Sequence, residues 1–396
     1  MNETVVAPLA AAPHEITFTR NRSGFRRLVM RGAMLELVTV GFYRFWLATD
    51  MRRHLWSHTA VDGDTPEYTG TAKELLIGFF FALAILAPLY LIYFLIGLEA
   101  ERLKAFASLP LGLFYYLFFQ FATYRARRYR LTRTVWRGVR LWMTGSGWNY
   151  AWRAALWSLL AVVTAGIALP WRQAALERFK MRHTSYGNLR GRFTGTGSGF
   201  FKRAWGLWLT PILFLALSLV FAVLQIKVLA ALPIAGLYIA APFIYAAYKA
   251  IEWRWWVSGI RFGDVYFESN LKRGGLIGLY WKVVGWGLLI IVALAAWGAI
   301  VLGAVHAWTG GSGSAQQIVS TLQQLPILIA LGLGYVVAIL AFWTVARIYL
   351  AHDVWQRVAD SSTVHNLAAA DNIVAQGDLV GALGEGFADS LDVVGF

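Results

Sequence analysis

The side chains that could bind an anion recur at a fixed spacing. An arginine, a histidine and a Thr-Gly-Thr triplet occur at Arg53, His58 and Thr69–Thr71, and again 125 residues later. Guanidinium groups and helix N-termini both bind oxyanions, so the pattern predicts sites for a phosphate or a lipid headgroup. The predicted ligand- or lipid-binding residues are Arg53, His58, Thr69, Gly70, Thr71, Arg128, Arg178, His183, Thr194, Gly195 and Thr196.

The two copies extend well beyond these residues. Thr39–Thr71 aligns with Thr164–Thr196 without a gap, and nine of the thirty-three positions are identical. A partial third copy, offset by 75 residues from the first, contains Arg128 and Thr144-Gly145-Ser146. Such self-similarity predicts an internal duplication. The alternative for the triplets is a turn followed by a helix cap, since they lack the Gly-Lys-Ser/Thr ending of a phosphate-binding P-loop.

Metal binding and catalysis are weakly supported. His58 and His183 lack a repeated carboxylate, because Asp62 and Asp64 near the first correspond to Gly187 and Leu189 near the second. The chain has no cysteine, which excludes disulfides, thiolate ligands and a cysteine nucleophile. We therefore predict no catalytic residue, no metal and no cofactor. An enzyme that uses the two histidines as acid and base is the least favoured alternative.

The composition is that of a membrane protein. Hydrophobic residues make up 58% of the 396 residues and charged residues 14%, and the formal net charge is +15. Lys and Arg are retained on the cytoplasmic side of membranes, where they face anionic headgroups. No nucleic-acid-binding motif accompanies the charge, so nucleic acid is not a predicted partner.

Long apolar segments predict the membrane-crossing helices. Six of them are predicted to span, and two more, 24–46 and 154–171, precede the repeats and are predicted to be re-entrant or interfacial. This arrangement puts every basic loop on one side, whereas eight spanning helices, the alternative, would place the arginine-rich loop 123–149 outside. The predicted fold is therefore an all-α polytopic membrane protein with three transmembrane hairpins, two re-entrant or interfacial helices and an internal duplication. The six predicted spans are 74–98, 105–123, 205–225, 228–248, 276–308 and 325–346.

These elements predict six regions along the chain. Both termini are expected in the cytoplasm, and the acidic tail is expected to be partly helical. The regions are an N-terminal tail (1–23), repeat unit one (24–123), a basic loop (124–149), repeat unit two (150–248), a third hairpin unit (249–346) and an acidic cytosolic tail (347–396).

The first repeat and the tail carry a family resemblance. Their motifs are Thr39-Val-Gly-Phe-Tyr43-Arg-Phe45-Trp46, Arg52-Arg53, Tyr68-Thr-Gly-Thr71-x-x-Glu74-Leu75, and Glu385-x-x-x-Asp389 before Asp392. With these motifs, the chain resembles the YjgN-like family of bacterial inner-membrane proteins over nearly its whole length. Repeat two departs from the pattern, with Ala168 in the place of Tyr43. The resemblance implies a multi-pass inner-membrane location, supplies no established activity, and suggests a membrane metallopeptidase as a partner.

Two functions are compatible with these patterns. The first is binding of anionic lipid or a phosphate-bearing ligand at the duplicated motifs on the cytoplasmic side, in membrane transport or envelope maintenance. The second is a non-catalytic scaffold or accessory subunit that holds a membrane partner, such as a metallopeptidase, through its acidic tail. A homo-oligomer is compatible with both. The predicted spans contain few ionisable groups, which disfavours proton-coupled transport.

Overall fold

Helices and short strands alternate along the chain. The computed structural model describes residues 13–99, 101–308, 321, 323–377, 381 and 389. A π-helix, Arg347–Asp353, joins the last two α-helices, and a 3-10 turn, Leu367–Ala370, follows the last strand. The helices are α1 (Arg22–Val38), α2 (Arg44–Ser57), α3 (Ala72–Glu99), α4 (Glu101–Thr132), α5 (Gly147–Val163), α6 (Leu169–Arg182), α7 (Gly197–Val223), α8 (Lys227–Gly259), α9 (Ile277–Trp308), α10 (Leu325–Ala346) and α11 (Val354–Asp360). The strands are β1 (His14–Phe18), β2 (Thr59–Val61), β3 (Glu67–Tyr68), β4 (Thr134–Trp136), β5 (Val139–Met143), β6 (Thr184–Tyr186), β7 (Leu189–Phe193), β8 (Ile260–Phe262), β9 (Val265–Ser269) and β10 (Ser362–His365).

All ten strands belong to one antiparallel sheet. Their order is β2-β1-β10-β9-β8-β7-β6-β5-β4-β3. The prediction of an all-α protein is therefore wrong. The cause is that the loops interpreted as basic connections and caps are β-hairpins with strands of only two to five residues.

The hairpins form because apolar and polar residues alternate on either side of a tight turn. In Val139-Arg140-Leu141-Trp142-Met143 every second residue points to the same face of the sheet. Arg137 and Gly138 both have positive φ, 47° and 73°, which two-residue hairpin turns of the type I′ class require. Arg140 therefore lies on a strand and Arg137 in the turn, whereas Arg125, Arg127, Arg128 and Arg130 of the same predicted loop lie on α4.

The sheet curls until its edges approach each other. The edge strands β2 and β3 are consecutive in the chain and are joined by residues 62–66. Five residues span at most roughly 20 Å when extended, so the edges cannot be far apart. Val61 and Asp64 form a bridge within this connection. The sheet is consequently barrel-like, and we call it the ring. Its strands form five successive pairs, which we call hairpins. Three of them, β4–β5, β6–β7 and β8–β9, are hydrogen-bonded hairpins, whereas β2 and β3 are joined through the connection with the Val61–Asp64 bridge, and β10 and β1 come from opposite ends of the chain.

Five equivalent backbone hydrogen bonds link each hairpin to the next. The donor is the backbone N–H of the residue that follows the second strand of one hairpin. The acceptor is the carbonyl of the residue that precedes the first strand of the next hairpin, and the N–O distances are 2.8–2.9 Å. Together the five bonds connect every hairpin to the two hairpins beside it, so the five hairpins have equivalent surroundings. The donors and acceptors are Thr19 and His58, Thr69 and Arg133, Thr144 and His183, Thr194 and Gly259, and Asn270 and Ser361.

The concave face of the sheet is apolar. Val61, Trp136, Val265 and Val364 come from strands far apart in the sheet order, yet all pack in one cluster with Leu367. Leu367 is 4% exposed and follows the last strand directly. The start of the C-terminal tail therefore fills the inside of the ring.

Pairs of helices leave the ring and return to it. Among the residues that the structure describes, five helices are long and apolar enough to cross a membrane: α3, α7, α8, α9 and a helix that begins with α10. The predicted span 105–123 lies in α4, whose side chains are described only from residue 109 and which is not among the five. The eight-span alternative gains no support in the described part of the chain, because α1 and α5, of 17 residues each, are not candidates either.

Two shorter helical pairs, α1–α2 and α5–α6, lie between the long ones. Their tips have matching turns, in which Val40 and Gly41 have φ of 51° and 86°, and Ala165 and Gly166 have 48° and 87°. The tips are apolar and open, with Val40 87% exposed. These are the ends of the two segments predicted to be re-entrant or interfacial. The duplication that would explain the likeness stays a prediction.

Candidate functional site

The first threonine of each triplet connects neighbouring hairpins. The N–H of Thr69 donates to the carbonyl of Arg133 at 2.8 Å, and that of Thr194 donates to Gly259 at 2.9 Å. The two hydroxyls donate to the same carbonyls at 3.1 and 3.3 Å. These threonines therefore hold the ring together at its junction with the helices.

The last residue of each triplet caps a helix. Thr71 Oγ1 accepts from the N–H of Glu74, and the Glu74 carboxylate accepts from the N–H of Thr71, both at 3.4 Å. This is the capping box that the sequence predicts. Thr196 Oγ1 accepts from the N–H of Gly199 at 3.1 Å at the start of α7. Each cap satisfies one of the N–H groups that an anion would otherwise bind.

The glycines of the triplets leave room for aromatic rings. A Cβ at Gly70 would lie 2.6 Å from the Tyr68 ring, and one at Gly195 would lie 2.6 Å from the Phe193 ring and 3.0 Å from Trp255. Such contacts are shorter than van der Waals contact. Any other residue would displace the ring of the preceding strand, so both glycines have a structural role.

The repeated histidines end their helices. Nδ1 of His58 lies 2.7 Å from the carbonyl of His54, and Nδ1 of His183 lies 2.8 Å from that of Phe179. In both cases the carbonyl belongs to the preceding helical turn and accepts a hydrogen bond from Nδ1. Their repetition is therefore explained by helix termination as well as by ligand binding.

Arginines occupy one equivalent position around the ring. The position is five residues before the residue whose carbonyl accepts the backbone hydrogen bond between hairpins. It is occupied by Arg53, Arg128 and Arg178, and the structure adds Arg254 at the same place on α8. Arg53, Arg178 and Arg254 are exposed and Arg128 is half-buried. We call these four residues the arginine belt. The sequence comparison missed Arg254 because the hairpin after it has no Thr-Gly-Thr triplet.

Two of the exposed belt arginines donate to backbone carbonyls. Arg53 donates to the carbonyl of Gly70 at 3.0 Å and lies 4.0 Å from Asp50. Arg178 Nε donates to the carbonyl of Ala174 at 3.2 Å. An exposed pair as long as that of Arg53 and Asp50 contributes little energy. That these arginines, the histidines and the triplets bind a ligand stays a prediction.

A buried charge cluster fixes the C-terminal tail. Arg52 is 1% exposed and binds both carboxylate oxygens of Asp389, also 1% exposed, and Arg130 lies 3.6 Å from the same carboxylate. Arg52 also donates to the Tyr68 hydroxyl at 3.1 Å. Arg52 and Asp389 both belong to the motifs of the family resemblance, but sequence alone did not pair them. The predicted use of the tail to hold a partner stays a prediction.

A second buried pair joins α1 to the π-helix. Arg347 donates to the two carboxylate oxygens of Glu36 at 2.9 and 3.0 Å, and the side chains are 7% and 3% exposed. Glu36 is one of the charges that make the first apolar segment costly to place in hydrocarbon. Its partner lies 311 residues further along the chain, and nothing in the sequence around Glu36 identifies it.

Two further clusters attach α4 to its neighbours. Glu74 accepts from Arg133 at 2.7 Å and from the Tyr129 hydroxyl at 2.6 Å. Burial alone would raise the pKa of Glu177, but Lys180 and Arg127 outweigh it and lower that pKa to about 2. Both carboxylates are thus paired with basic side chains, Glu74 with Arg133, and Glu177 with Arg127 and Lys180.

Three histidines meet beneath the sheet. The rings of His54 and His58 stack at 4.0 Å, and His352 lies 6.3 Å from His54. Nδ1 of His352 is 2.8 Å from Asp353. The Nε2 atoms of His54 and His352 are buried and have no hydrogen-bond partner in the described part of the chain. Among the described residues no group of His, Cys, Asp and Glu has the arrangement of a metal site.

This histidine cluster predicts a loss of stability in acid. Desolvation, His58 and His352 lower the pKa of His54 to about 4, whereas an unfolded histidine titrates near 6.5. Stability is therefore complete above about pH 6.5 and falls as the pH drops towards 4. Because the imidazole of His54 is only partly buried, we expect the free energy of unfolding to fall by about 1 to 2 kcal/mol. As the pH falls from 7 to 4.5, the unfolding midpoint of the wild type, followed by tryptophan fluorescence, should fall more steeply than that of His54→Gln; parallel curves would contradict the assignment.

The fold and these charge clusters define a membrane protein in which five long apolar helices rise from a curved antiparallel sheet. The family described as "Bacterial protein of unknown function (DUF898)" matches residues 13–390, and the chain belongs to that family. It is the YjgN-like family, so the resemblance seen in the sequence is confirmed. No curated protein and no solved structure matches the chain.

Proposed function

We propose that this protein binds anionic phospholipid headgroups of the bacterial inner membrane through its arginine belt, as part of membrane transport or envelope maintenance. The belt supports the proposal because one cationic side chain recurs at the same height on four helices around the ring. A repeated position at the base of apolar helices suits a ligand that surrounds the protein, as lipid headgroups do. Each Lys or Arg near an anionic surface contributes about 1 kcal/mol.

Exposed tryptophans also indicate that the helix ends beside the sheet lie at the surface of the membrane. Trp148 and Trp152 on α5 and Trp205 on α7 are 45%, 53% and 55% exposed, within the first helical turns after the sheet. Tryptophan is enriched where a membrane meets water. The sheet would then lie just outside the hydrocarbon, and its basic surroundings orient it towards the cytoplasm.

Removal of the belt charges should weaken lipid binding. In Arg53→Gln/Arg178→Gln/Arg254→Gln we expect the affinity for phosphatidylglycerol to fall at least about tenfold, since three contributions of about 1 kcal/mol are lost. The measurement is the number of lipids retained in native mass spectrometry as phosphatidylglycerol is titrated into detergent-solubilised protein. Phosphatidylcholine binding should not change.

The control is Lys227→Gln. Lys227 is exposed at the start of α8, at the opposite end of the α7–α8 pair from the ring, and its loss should leave lipid binding intact. If the belt variant retained as much phosphatidylglycerol as Lys227→Gln, the proposal would fail.

A further inference from the structure

One junction between hairpins differs in charge from the other four. Each hairpin meets the next through residue pairs that alternate between the two faces of the sheet, and at least one pair at each junction lies on the convex face, opposite to Leu367. One of the five junctions places two arginines directly across from each other. The pairs are Glu67 and Val135, Trp142 and Ser185, Arg192 and Arg261, Glu268 and Thr363, and Thr17 and Ala60.

The fold itself does not require the arginine pair. Side chains directly opposite in antiparallel strands have Cβ atoms about 4.5–5.5 Å apart, and like charges there are destabilising. The four equivalent junctions form the same ladder with neutral pairs or with a single carboxylate. The repulsion between Arg192 and Arg261 therefore has no counterpart elsewhere in the ring, and an anion between them would remove it.

The third cation of this patch is Arg190. It lies two residues before Arg192 on β7 and so points to the same face of the sheet. The side chains of Arg190 and Arg192 are exposed and make no hydrogen bond or ion pair with any described residue. Both guanidinium groups thus have all their donors available to a ligand.

Arg261 is held in place before any ligand arrives. Its NH1 donates to the carbonyls of Ser258 at 3.1 Å and Phe267 at 3.3 Å, and its guanidinium lies 4.9 Å from the centre of the Tyr266 ring. Less side-chain entropy is lost when a group that is already ordered binds a ligand. Such a fixed guanidinium suits recognition of a tetrahedral oxyanion.

The acids near the patch do not neutralise it. Glu268, on the neighbouring strand, lies 3.5 Å from Nε2 of His365. Burial is the main cause that lowers the pKa of Arg261; Glu268 and Tyr266 raise it, Arg192 lowers it slightly, and the net change is downward. Asp264 is exposed in the turn of the next hairpin. Three arginines therefore face two carboxylates, one of which already has a partner.

We propose that Arg190, Arg192 and Arg261 form a site for a phosphate group, borne by a soluble phosphate compound or by a lipid headgroup. The site is distinct from the arginine belt, because its residues lie on strands β7 and β8 rather than on helices. It requires neither the belt nor the lipid binding proposed above.

The test uses full-length protein in a neutral detergent with two probes. Pyrophosphate, followed by isothermal titration calorimetry, represents a soluble ligand, and phosphatidylglycerol, counted by native mass spectrometry, represents a headgroup. We expect Arg192→Gln/Arg261→Gln to bind one or both probes at least tenfold more weakly than the wild type. The single variant Arg190→Gln, exposed and unpaired, should weaken the same binding with no effect on folding.

The outcomes separate the two sources. A loss of pyrophosphate binding alone assigns the site to a soluble phosphate compound, and a loss of phosphatidylglycerol alone assigns it to a headgroup. Loss of binding to both probes shows that the site recognises the phosphate group that the two probes share. Unchanged binding of both probes, with the variants folded as judged by their unfolding midpoints, would overturn the proposal. The belt variant is the matched control: it should keep pyrophosphate binding, so that failure of the belt and failure of this site are distinguishable.

Discussion

Glu36→Ala is expected to lower the free energy of unfolding by about 3–5 kcal/mol, because it leaves the guanidinium of Arg347 buried without its partner. The side chain of Arg347 is 7% exposed, and both of its bonds to Glu36 are near 3.0 Å. Water cannot replace the lost carboxylate at such a site. The unfolding midpoint, followed by the fluorescence of the nineteen tryptophans, measures the effect.

Two variants distinguish a buried pair from a general effect of charge. Glu36→Leu/Arg347→Met removes both charges and should unfold close to the wild type, since apolar replacements of buried pairs are often neutral or stabilising. Glu15→Ala removes an exposed carboxylate on β1 and should change stability by no more than about 0.5 kcal/mol. A wild-type midpoint for Glu36→Ala would show that Arg347 does not depend on Glu36.

Asp389→Ala is expected to release the C-terminal tail from the ring. The substitution leaves Arg52, 1% exposed, without its carboxylate partner, so we again expect a loss of about 3–5 kcal/mol. Hydrogen exchange of the backbone amides of residues 371–377 should become faster, because these residues lie between Leu367 and Asp389. Hydrogen-exchange mass spectrometry of the folded protein measures this.

The matched control for the tail is Asp371→Ala. Asp371 is 61% exposed and lies 3.7 Å from Arg137, an exposed pair on the same segment. Its loss should cost no more than about 0.5 kcal/mol and leave exchange of the tail nearly unchanged. Equal exchange in Asp371→Ala and Asp389→Ala would mean that the buried cluster does not hold the tail.

The strongly apolar helices could be predicted because their signal is local. The predicted spans 74–98, 205–225, 228–248, 276–308 and 325–346 all fall in helices that are candidates to cross a membrane. A run of about 20 apolar residues specifies a spanning helix without reference to the rest of the chain. The same holds for the capping box of Thr71 and Glu74, which depends on residues three apart.

The sheet could not be predicted as easily because its pairing is not local. Strand β1 pairs with β10, so that His14 lies opposite Val364. A strand of three residues, such as β6, carries too few positions to show an alternating pattern. The signals that were present are Arg137-Gly138 between apolar residues and the alternation in Val139–Met143.

The charge clusters show the same limit at the level of the site. The sequence marks Glu36 and Asp389 as unusual, one by its apolar surroundings and the other by a family motif. It cannot identify Arg347 and Arg52 as their partners, because the chain offers 36 basic residues and no rule of spacing connects them. The sequence repeats identify Arg53, Arg128 and Arg178, whereas Arg254 is recognised only from its position relative to the hairpin in the structure.

The fifth hairpin, formed by β10 and β1, imposes an order on biosynthesis. β1 is synthesised before the apolar helices that the structure describes, but β10 follows more than 340 residues later, after those helices have been made. Until then β1 and β9 each lack a neighbour and present open strand edges. A nascent chain therefore cannot complete its ring before membrane insertion is finished, and a prematurely terminated chain keeps two open edges that cellular proteases and chaperones can recognise.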